Sequence, residues 1–441
     1  MNGSLAPGLL VAGPRSGVGK TIVATGLQRA FVQAGLSVVA AKCGPDYIDP
    51  GFHAIATGRP AINLDGFAME PAMLKGLAAQ HATCADLVIA EAAMGLFDGA
   101  GPASTGAAVA RLTGWPVLLV VDAEGAGQSA AAVAHGMATF PGAPPVAPPV
   151  APPIAGVIVN RVASDRHAAM IAEGFRSLDL PLLGMIRRDP ALIIASRHLG
   201  LVQASEDEQL GDRLNAVAAI ITRDCDLAAI RDAARASRAA TRAVPRIRPP
   251  GQRIALAADD AFAFFYPHLA LWWREAGAEI RTFSPLADEA PPADCDTCWL
   301  PGGYPELHAG KLATSTRFMA GLRAFAARAP VHGECGGYML LGRSIEDAQG
   351  AVHPMAGLLP VDTSFARRKM TLGYRQAHLF EATAFADANA PLWGHEYHYA
   401  TIRSAAEGQD LARLSDAAGN DLGGAGHRVG HITGSFFHLI A

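Results

Sequence analysis

The length, composition and charge of the chain already exclude several classes of protein. Half of the 441 residues are hydrophobic and 17% are charged, so the chain can bury sizeable cores and is not disordered. A net charge of −4 argues against a nucleic-acid partner. The six scattered cysteines are typical of a reduced, cytoplasmic protein, and no apolar stretch approaches the roughly 20 residues of a membrane span. We expect two or three cytoplasmic domains without a signal peptide.

The first predicted unit is a strand, a glycine-rich loop and a helix. Residues 8–12 form an apolar strand, residues 13–21 the loop, and residues 22–34 a helix that ends at Gly35. The amides of such a loop wrap phosphate oxygens, its lysine neutralises them, and its hydroxyl reaches Mg²⁺. The nucleotide-binding residues predicted from this unit are Gly13, Ser16, Gly17, Gly19, Lys20 and Thr21.

The loop departs from the strict pattern Gly-x4-Gly-Lys-Ser/Thr. Pro14 stands where the first glycine belongs, and Gly13 lies one residue earlier, which makes the loop slightly longer. This variant resembles the loop of dethiobiotin synthetase-like ATPases. The resemblance implies that the nucleotide is ATP.

Acidic side chains follow the next two predicted strands. Asp46 and Asp49 lie in a Gly/Pro-rich loop after strand 36–42, and Glu91 follows strand 86–90. Open α/β sheets bind ligands at this edge, where carboxylates hold Mg²⁺ or position a substrate. Taken alone, the aspartate pair could equally be turn-forming. The predicted catalytic acids are Asp46, Asp49 and Glu91, and the predicted metal ligands are Thr21, Asp46 and Glu91.

Later strands continue the same alternation. Strands 117–121 and 154–159 are each followed by polar residues, which predicts a parallel, doubly wound sheet. The Pro- and Ala-rich residues 141–153 are interpreted as an exposed insertion. Asn160 and Arg161 come directly after the second of these strands, and we predict that they contact the adenine of the nucleotide.

Two further stretches are interpreted from their composition. The basic residues of 197–202 could bind an acidic substrate or form a solvated surface, and the composition does not distinguish the two. Residues 234–252 are basic and rich in Ala and Pro, and within them we place a linker at 241–252. The strand–helix alternation then restarts. This predicts an N-terminal ATP-binding domain of residues 1–240 and a C-terminal domain of residues 253–441.

Residues 331–338 predict a nucleophile elbow. A short apolar run enters a Gly-x-Cys-x-Gly turn centred on Cys335, and a helix-compatible segment follows. A thiolate is favoured at a helix N-terminus and attacks amide carbonyls without a strong external base. A buried structural cysteine is the alternative for a lone motif. Gly303, in a Gly-Gly loop after another strand, and Gly336 can supply the two N–H groups of an oxyanion hole.

The cysteine requires a base, and the chain offers several histidines. His438 lies near the chain end, where triad amidotransferases carry their histidine. In this position it resembles the histidine of those enzymes. His395 and His398 could be read as part of a metal cluster, but no third ligand has a suitable spacing, so we expect no metal there. Cys295 and Cys298 form a CxxC without a partner pair and are interpreted as structural.

Together these segments resemble the glutamine-dependent cobyrinate and hydrogenobyrinate a,c-diamide synthase family of corrinoid biosynthesis. The resemblance covers nearly the whole chain. It implies two α/β, doubly wound domains: a P-loop, dethiobiotin synthetase-like ATPase domain and a flavodoxin-like class I glutamine amidotransferase domain. It rests on residues 13–21, 44–50, 91, 94–99, 160–162, 197–202, 301–306, 334–337, 394–399 and 434–439.

The resemblance implies a ligase reaction in two halves. Cys335, paired with His438, attacks L-glutamine and releases ammonia. The ATPase domain, with ATP and Mg²⁺, phosphorylates a carboxylate of the tetrapyrrole, and ammonia displaces the phosphate. In this way the a- and c-acetate side chains of a corrin are amidated in cobalamin biosynthesis. Water would destroy an acyl phosphate, so ammonia should travel internally. We expect a homodimer, with no nucleic-acid or membrane partner.

Several alternatives stay open. Ile440 stands where many class I glutaminases carry Glu, so the pair is a dyad or another carboxylate orients His438. The substrate is hydrogenobyrinic acid, cobyrinic acid or nickel sirohydrochlorin, with a weak preference for the first. A different class is a P-loop regulatory switch joined to an inert glutaminase-like module. That class predicts a missing nucleophile or base, whereas Cys335 and His438 are both present.

Overall fold

A computed structural model of the chain describes residues 5–83, 85–140, 153–192, 196–197, 200–201, 203–238, 247–405 and 410–441. The chain divides into two compact units, Met1–Val244 and Pro245–Ala441. Each unit combines helices with a central, mainly parallel sheet, which confirms the predicted α/β class. Within the described ranges, no helix has the length and apolar character needed to cross a membrane.

The N-terminal unit alternates strands and helices, with short 3₁₀ turns between some of them. In chain order its strands and helices are β1 (Pro7–Ala12), α1 (Lys20–Gln33), β2 (Val38–Cys43), α2 (Asp49–Thr57), β3 (Ile62–Leu64), α3 (Pro71–Ala82), β4 (Leu87–Glu91), α4 (Gly106–Thr113), β5 (Val117–Asp122), α5 (Ser129–Thr139), β6 (Ile154–Val162), α6 (Asp165–Phe175), β7 (Leu182–Arg187), β8 (Ser196–Arg197), β9 (Gly200–Leu201), α7 (Leu210–Asp224), α8 (Leu227–Ala233) and β10 (Arg235–Ala236).

The sheet of this unit is parallel, in the order β3-β2-β4-β1-β5-β6-β7, and is buried on both faces. Leu118 and Val120 of β5 belong to one hydrophobic cluster, whereas Leu119 and Val121 belong to another. Because successive side chains of a strand point to opposite faces, helices cover both sides, as a doubly wound sheet requires. β4 pairs with both β1 and β2, so the loops after these three strands meet at one edge.

Some predicted boundaries differ from the structure. Helix α1 begins at Lys20, two residues before its predicted start, because the left-handed Gly19 (φ 97°) turns the chain into it. The basic stretch predicted to have linker character is also partly structured. Its strand β10 pairs antiparallel with β1, and Ser237 Oγ accepts a hydrogen bond of 2.8 Å from Trp115 Nε1. The start of that stretch therefore belongs to the N-terminal sheet.

The C-terminal unit contains more strands than helices. In chain order its elements are β11 (Arg253–Ala257), α9 (Pro267–Glu275), β12 (Glu279–Phe283), β13 (Thr297–Leu300), α10 (Ala309–Thr314), α11 (Thr316–Ala326), β14 (Val331–Glu334), α12 (Gly336–Leu341), β15 (Ser344–Glu346), β16 (Val352–Pro354), β17 (Val361–Ser364), β18 (Thr371–Leu379), β19 (Pro391–His398), β20 (Thr401–Ala405), β21 (Ala412–Asp416), β22 (Asp421–Ala425), β23 (His427–Val429), β24 (Ile432–Ser435) and β25 (His438–Leu439).

The central sheet of this unit has the order β12-β11-β13-β14-β24-β23 and is parallel except for β23. Two further sheets, in the orders β16-β15-β17-β20 and β22-β21-β18-β19-β25, are mostly antiparallel and were not predicted. β13 and β14 are neighbours, so the loops that follow them lie side by side. β25 pairs with β19, which brings His438 opposite His395.

Candidate active sites

The glycine-rich loop between β1 and α1 has the shape of a phosphate-binding loop. Gly17 (φ 80°) and Gly19 (φ 97°) adopt the left-handed conformation that favours glycine. Lys20 is buried, and its Nζ donates a hydrogen bond of 3.0 Å to the Arg15 carbonyl. Burial lowers the pKa of Lys20 to about 8. An anion in the loop would therefore compensate a lysine that has lost much of its hydration.

The structure brings two of the three predicted acids together beside the loop. The Thr21 hydroxyl donates a hydrogen bond of 2.8 Å to Glu91 Oε1 and lies 3.5 Å from Asp49 Oδ2. Hydroxyl and carboxylate oxygens are the ligands that Mg²⁺ prefers. This donor set fits a divalent cation that is also held by nucleotide phosphates.

The third acid, Asp46, shapes the turn into α2. Its Oδ1 accepts hydrogen bonds from the amides of Ile48 (2.7 Å) and Asp49 (3.0 Å). Its carbonyl accepts a bond of 2.7 Å from Asn63 Nδ2. Asp46 thus has the turn-forming role that the sequence left open, and its second carboxylate oxygen takes no part in these bonds.

The predicted adenine-contacting residues lie against the same loop. Asn160 Nδ2 donates a hydrogen bond of 2.9 Å to the Val18 carbonyl. Arg161 has a left-handed backbone (φ 61°), and its Nη1 lies 2.6 Å from Asp122 Oδ2. Arg15 reaches the same oxygen at 3.1 Å. Both arginines therefore form ion pairs with the Asp122 carboxylate at the edge of the glycine-rich loop.

In the C-terminal unit, Cys335 occupies a strained turn between β14 and α12. Its backbone (φ 44°, ψ −97°) lies in a region that residues other than glycine rarely adopt. The Cys335 amide donates a hydrogen bond of 2.8 Å to the Ser435 carbonyl. A Cβ at Gly337 would overlap the carbonyl of Leu300, so only glycine allows this close crossing. The predicted nucleophile elbow is present.

The two glycines predicted as oxyanion donors, Gly303 and Gly336, pack closely together. A Cβ added to Gly336 would lie 3.0 Å from the amide nitrogen of Gly303. Gly303 is itself packed so tightly that a Cβ there would overlap the carbonyl of Ala261. The two glycines predicted as oxyanion donors are thus brought together beside Cys335.

His438 lies against the same loop. A Cβ on Gly302 would overlap Cε1 of the His438 ring. The ring is fully buried and stacks on His395 with 4.9 Å between centroids, and His395 Nε2 lies 2.9 Å from the Tyr266 hydroxyl. Burial holds the pKa of His438 well below its usual value, and His395 and His398 lower it further. An imidazole that stays neutral is available as a base.

Comparisons with known proteins agree with this pair of sites. Residues 9–202 match the CobQ/CobB/MinD/ParA nucleotide binding domain, and residues 253–441 match the CobB/CobQ-like glutamine amidotransferase domain. The chain is 52% identical over 441 residues to the hydrogenobyrinate a,c-diamide synthase of Mesorhizobium japonicum, covering 99% of both chains. The proteins of the same name from Agrobacterium fabrum and Rhodobacter capsulatus are 49% and 51% identical, covering 99% and 98% of both chains.

The chain belongs to the hydrogenobyrinate a,c-diamide synthase family. It is therefore an amide-forming ligase that uses glutamine, and the expectation from its motifs is confirmed. Within this family, the remaining question is which side chains, beyond those predicted, build each site.

Lys42 is a residue of the N-terminal site that sequence reasoning missed. Its Nζ is buried between two acids, 2.9 Å from Glu91 Oε1 and in a short ion pair with Asp49. Burial alone would lower the pKa of Lys42, but the Asp49 and Glu91 carboxylates outweigh it and raise the pKa. Lys42 compensates the acid pair from within the chain. Lysine in a strand gave no motif that could have revealed it.

His53 and Gln28 were also missed. His53 Nε2 lies 2.9 Å from Glu91 Oε2, and its Nδ1 lies 2.9 Å from Gln28 Oε1. The Gln28 amide nitrogen donates to the Ile89 carbonyl at 3.1 Å. The second oxygen of Glu91 is thereby fixed by a buried chain of hydrogen bonds. Its members are far apart in sequence, so no spacing predicts it.

A buried acid of β14 contacts the strand that carries His438. Glu334 Oε1 accepts a hydrogen bond of 2.9 Å from the Leu439 amide, and His268 Nε2 lies 3.0 Å from the Ile440 carbonyl. Burial raises the pKa of Glu334 to about 8. The Glu334 side chain, directly before Cys335 in the sequence, holds the strand that carries His438. It is thus placed to fill the orienting role that the sequence left open.

The remaining predictions concern the segment around His398 and two stretches that are only partly described. His398 Nδ1 lies 2.9 Å from the Ala400 carbonyl, and its ring stacks on Phe436. Glu396 Oε2 accepts a hydrogen bond of 2.6 Å from Arg375 Nε. Half of the basic segment 197–202 and nearly all of the insertion 141–153 lie outside the described residues.

Proposed function

We propose that the protein amidates the a- and c-acetate carboxylates of a corrin, hydrogenobyrinic acid or cobyrinic acid, in cobalamin biosynthesis. ATP activates each carboxylate as an acyl phosphate, and glutamine supplies the ammonia. The observation that carries the proposal is the joint presence, in one chain, of a phosphate loop with its acids and a cysteine elbow with its histidine. Among the candidate tetrapyrroles, the names of the three relatives favour hydrogenobyrinic acid.

The glutaminase half begins at Cys335. His438 accepts the thiol proton as sulfur attacks the carboxamide carbon of glutamine. The amides of Gly303 and Gly336 are proposed to stabilise the oxyanion. The two glycines pack closely, since a Cβ on Gly336 would lie 3.0 Å from the Gly303 nitrogen. The imidazolium returns the proton to the departing nitrogen, and ammonia leaves. Water then hydrolyses the glutamyl thioester, which releases glutamate and restores the thiol.

The synthetase half uses the N-terminal site. The loop amides from Gly13 to Gly19 bind the phosphates, with Ser16 and Gly17 in the same loop, and Lys20 balances their charge. A carboxylate oxygen of the corrin attacks the γ-phosphorus and ADP leaves. Ammonia then attacks the acyl carbon and inorganic phosphate leaves. Asn160 and Arg161 are proposed to hold the base.

Magnesium fits this site as a cofactor of ATP. Thr21 and Glu91, with Asp46 through its second oxygen, would hold it, and it would neutralise charge on the transferred phosphoryl group. Among the described residues, no three His, Cys, Asp or Glu side chains form a metal-binding group. The phosphates and water must therefore complete the coordination. Asp49, which pairs with Lys42, is proposed to position the acceptor carboxylate.

We also propose a division of labour along the chain. Residues 1–240 form the ATP-binding amidoligase domain, 241–252 the linker, and 253–441 the glutaminase domain. The two compact units, which divide at Val244 and Pro245, support this division. A cytoplasmic homodimer is part of the proposal, and light scattering of the purified protein tests the dimer.

The decisive experiment supplies ATP, Mg²⁺ and glutamine with hydrogenobyrinic acid, cobyrinic acid or nickel sirohydrochlorin, and follows the mass of the product. A gain of two amides on one corrin is the expected result. Cys335→Ala should abolish the glutamine-dependent reaction and leave the ammonia-dependent one. Cys295→Ala, at another buried cysteine of the same unit, is the control and should leave both.

Other outcomes separate the alternatives. Amidation of nickel sirohydrochlorin alone would replace the corrin as substrate. Glutamine hydrolysis without amidation of any tetrapyrrole would point to another acid. ATP hydrolysis with neither activity would favour a P-loop switch.

A further inference from the structure

One carboxylate beside the nucleophile has no role in the mechanism above. Glu306 lies in the 3₁₀ turn Pro305–Leu307, immediately after the Gly302–Gly303 loop. The turn is packed against the elbow, because a Cβ on Gly336 would lie 3.0 Å from the Pro305 ring. Glu306 is partly buried, and after burial itself its charge is the strongest influence that raises the pKa of the Cys335 thiol.

Glu306 differs from the other two acids whose charge reaches Cys335. Glu396 is paired with Arg375, and Glu334 accepts the Leu439 amide. Among the described residues, the Glu306 carboxylate has neither an ion pair within 4.0 Å nor a hydrogen bond from another residue. Its own backbone amide is its hydrogen-bond donor, and Arg368, whose charge also acts on it, is exposed.

This arrangement is unfavourable without a bound ligand. Desolvation raises the pKa of Glu306 to about 7, because the carboxylate loses part of its hydration and the charge of the exposed Arg368 only partly offsets that loss. The same negative charge opposes formation of the Cys335 thiolate. A ligand cation bound at Glu306 would relieve both effects at once. Such a cation would have to arrive with the molecule that Cys335 attacks.

We propose that Glu306 binds the α-ammonium group of glutamine and thereby selects an α-amino acid as the ammonia donor. This inference rests on the proposed glutaminase function of Cys335. Binding the ammonium group would orient the side-chain carboxamide toward the sulfur. It would also neutralise the charge that disfavours the thiolate, so the nucleophile is activated when the correct substrate is present.

The test compares glutamine with glutaramate, which is glutamine without the α-amino group. Glu306→Gln keeps the shape of the side chain and removes its charge. We expect KM for glutamine to rise about 10- to 100-fold, as for the loss of one charge-assisted hydrogen bond. Hydrolysis of glutaramate, which has no ammonium group to offset the charge of Glu306, should not fall in Glu306→Gln and should rise if that charge opposes the Cys335 thiolate.

Three controls make the result specific. Ammonia-dependent amidation should be unchanged in Glu306→Gln, which shows that the synthetase half is intact, and retained glutaramate hydrolysis shows that the glutaminase half is folded. Glu306→Asp keeps the charge and should recover part of the discrimination. Glu381→Gln removes an exposed acid of the same unit that pairs with Arg428 at 3.4 Å. This variant should hydrolyse glutamine and glutaramate at the wild-type rates.

The outcomes are distinct. Equal losses on glutamine and glutaramate, or no loss on glutamine, would overturn the assignment of Glu306. A wild-type protein that hydrolyses glutamine but amidates no corrin would overturn the proposed function and leave Glu306 testable on hydrolysis alone.

Discussion

The two sites of this chain are organised in opposite ways. In the N-terminal unit, charged side chains hold one another: Lys42 lies between Asp49 and Glu91, and His53 holds the other oxygen of Glu91. In the C-terminal unit, backbone geometry dominates. Cys335 sits in a strained turn, and Gly302 lies where a Cβ would overlap the ring of His438.

The difference follows from the chemistry of each site. Phosphoryl transfer moves charge between phosphates, a metal ion and a carboxylate, so a site with several exchangeable charges suits it. Acyl transfer to sulfur needs a nucleophile, a base and two amides at fixed positions. The first site should therefore be sensitive to charge, and the second to added atoms.

Removal of the buried cation should produce the largest effect. Lys42→Met leaves Asp49 and Glu91 together without their shared partner, and breaking such a buried pair costs about 3–5 kcal/mol of unfolding free energy. We expect loss of ammonia-dependent amidation with glutamine hydrolysis retained. Denaturant unfolding of the N-terminal unit measures the stability, and product mass measures the activity.

Two companion variants show whether charge is the cause. Lys75→Met, on a half-buried lysine of α3, should change unfolding little. The double variant Lys42→Met with Asp49→Asn should regain part of the lost stability, because one unpaired carboxylate is removed. If the double variant were as unstable as the single one, the packing of the Lys42 stem rather than its charge would hold the site.

A single added methyl group should produce the next largest effect, in the other site. Gly302→Ala places a Cβ on the His438 ring, and the ring can move more easily than the backbone. A misplaced base lowers the rate by roughly 10²-fold. Glutamine-dependent amidation should fall by that factor, while the ammonia-dependent rate persists.

Gly310→Ala provides the matched control for that change. The nearest atom to a Cβ there is His353 Cε1 at 3.7 Å, an ordinary contact. Both rates should stay at the wild-type level. A comparable loss in the two alanine variants would mean that the C-terminal unit is simply intolerant of glycine substitution.

The sequence predicted the local parts of both sites and missed the distant ones. The phosphate loop and the cysteine elbow each lie within about ten consecutive residues, so their spacing carries the geometry. Lys42 and His53 contact Glu91 only because β2 pairs with β4 in the sheet and helix α2 packs against β2. The periodicity of hydrophobic residues predicts that these strands and helices exist, but it does not predict which of their side chains contact one another.

The fold shows the same limit. The parallel sheets were predictable because strands and helices alternate along the chain. The two mostly antiparallel sheets of the C-terminal unit combine short strands, such as β15 and β22, with the longer β18 and β19, and their strands mix polar and apolar residues in a way that single-sequence patterns do not resolve. Strand β10 was not predicted, because the stretch 234–252 was interpreted only from its basic, Ala- and Pro-rich composition. Its pairing with β1 depends on backbone hydrogen bonds, which composition does not reveal.

The smallest expected effect concerns Lys20 of the N-terminal site. Its pKa of about 8 without a bound anion lies below the usual 10.5 of a lysine, so the folded protein releases this proton before the unfolded chain does. Stability without ligand should therefore rise with pH between these two values. Phosphate binds the charged form, so ATP affinity should fall, by at most about 10-fold per pH unit, above pH 8. Calorimetry in buffers of different ionisation enthalpy should show no proton uptake on ATP binding near pH 7 and close to one proton near pH 9.

Lys20→Arg is the control, because its guanidinium stays charged and should bind ATP without proton uptake at either pH. Uptake that persisted in this variant would assign the proton to another group.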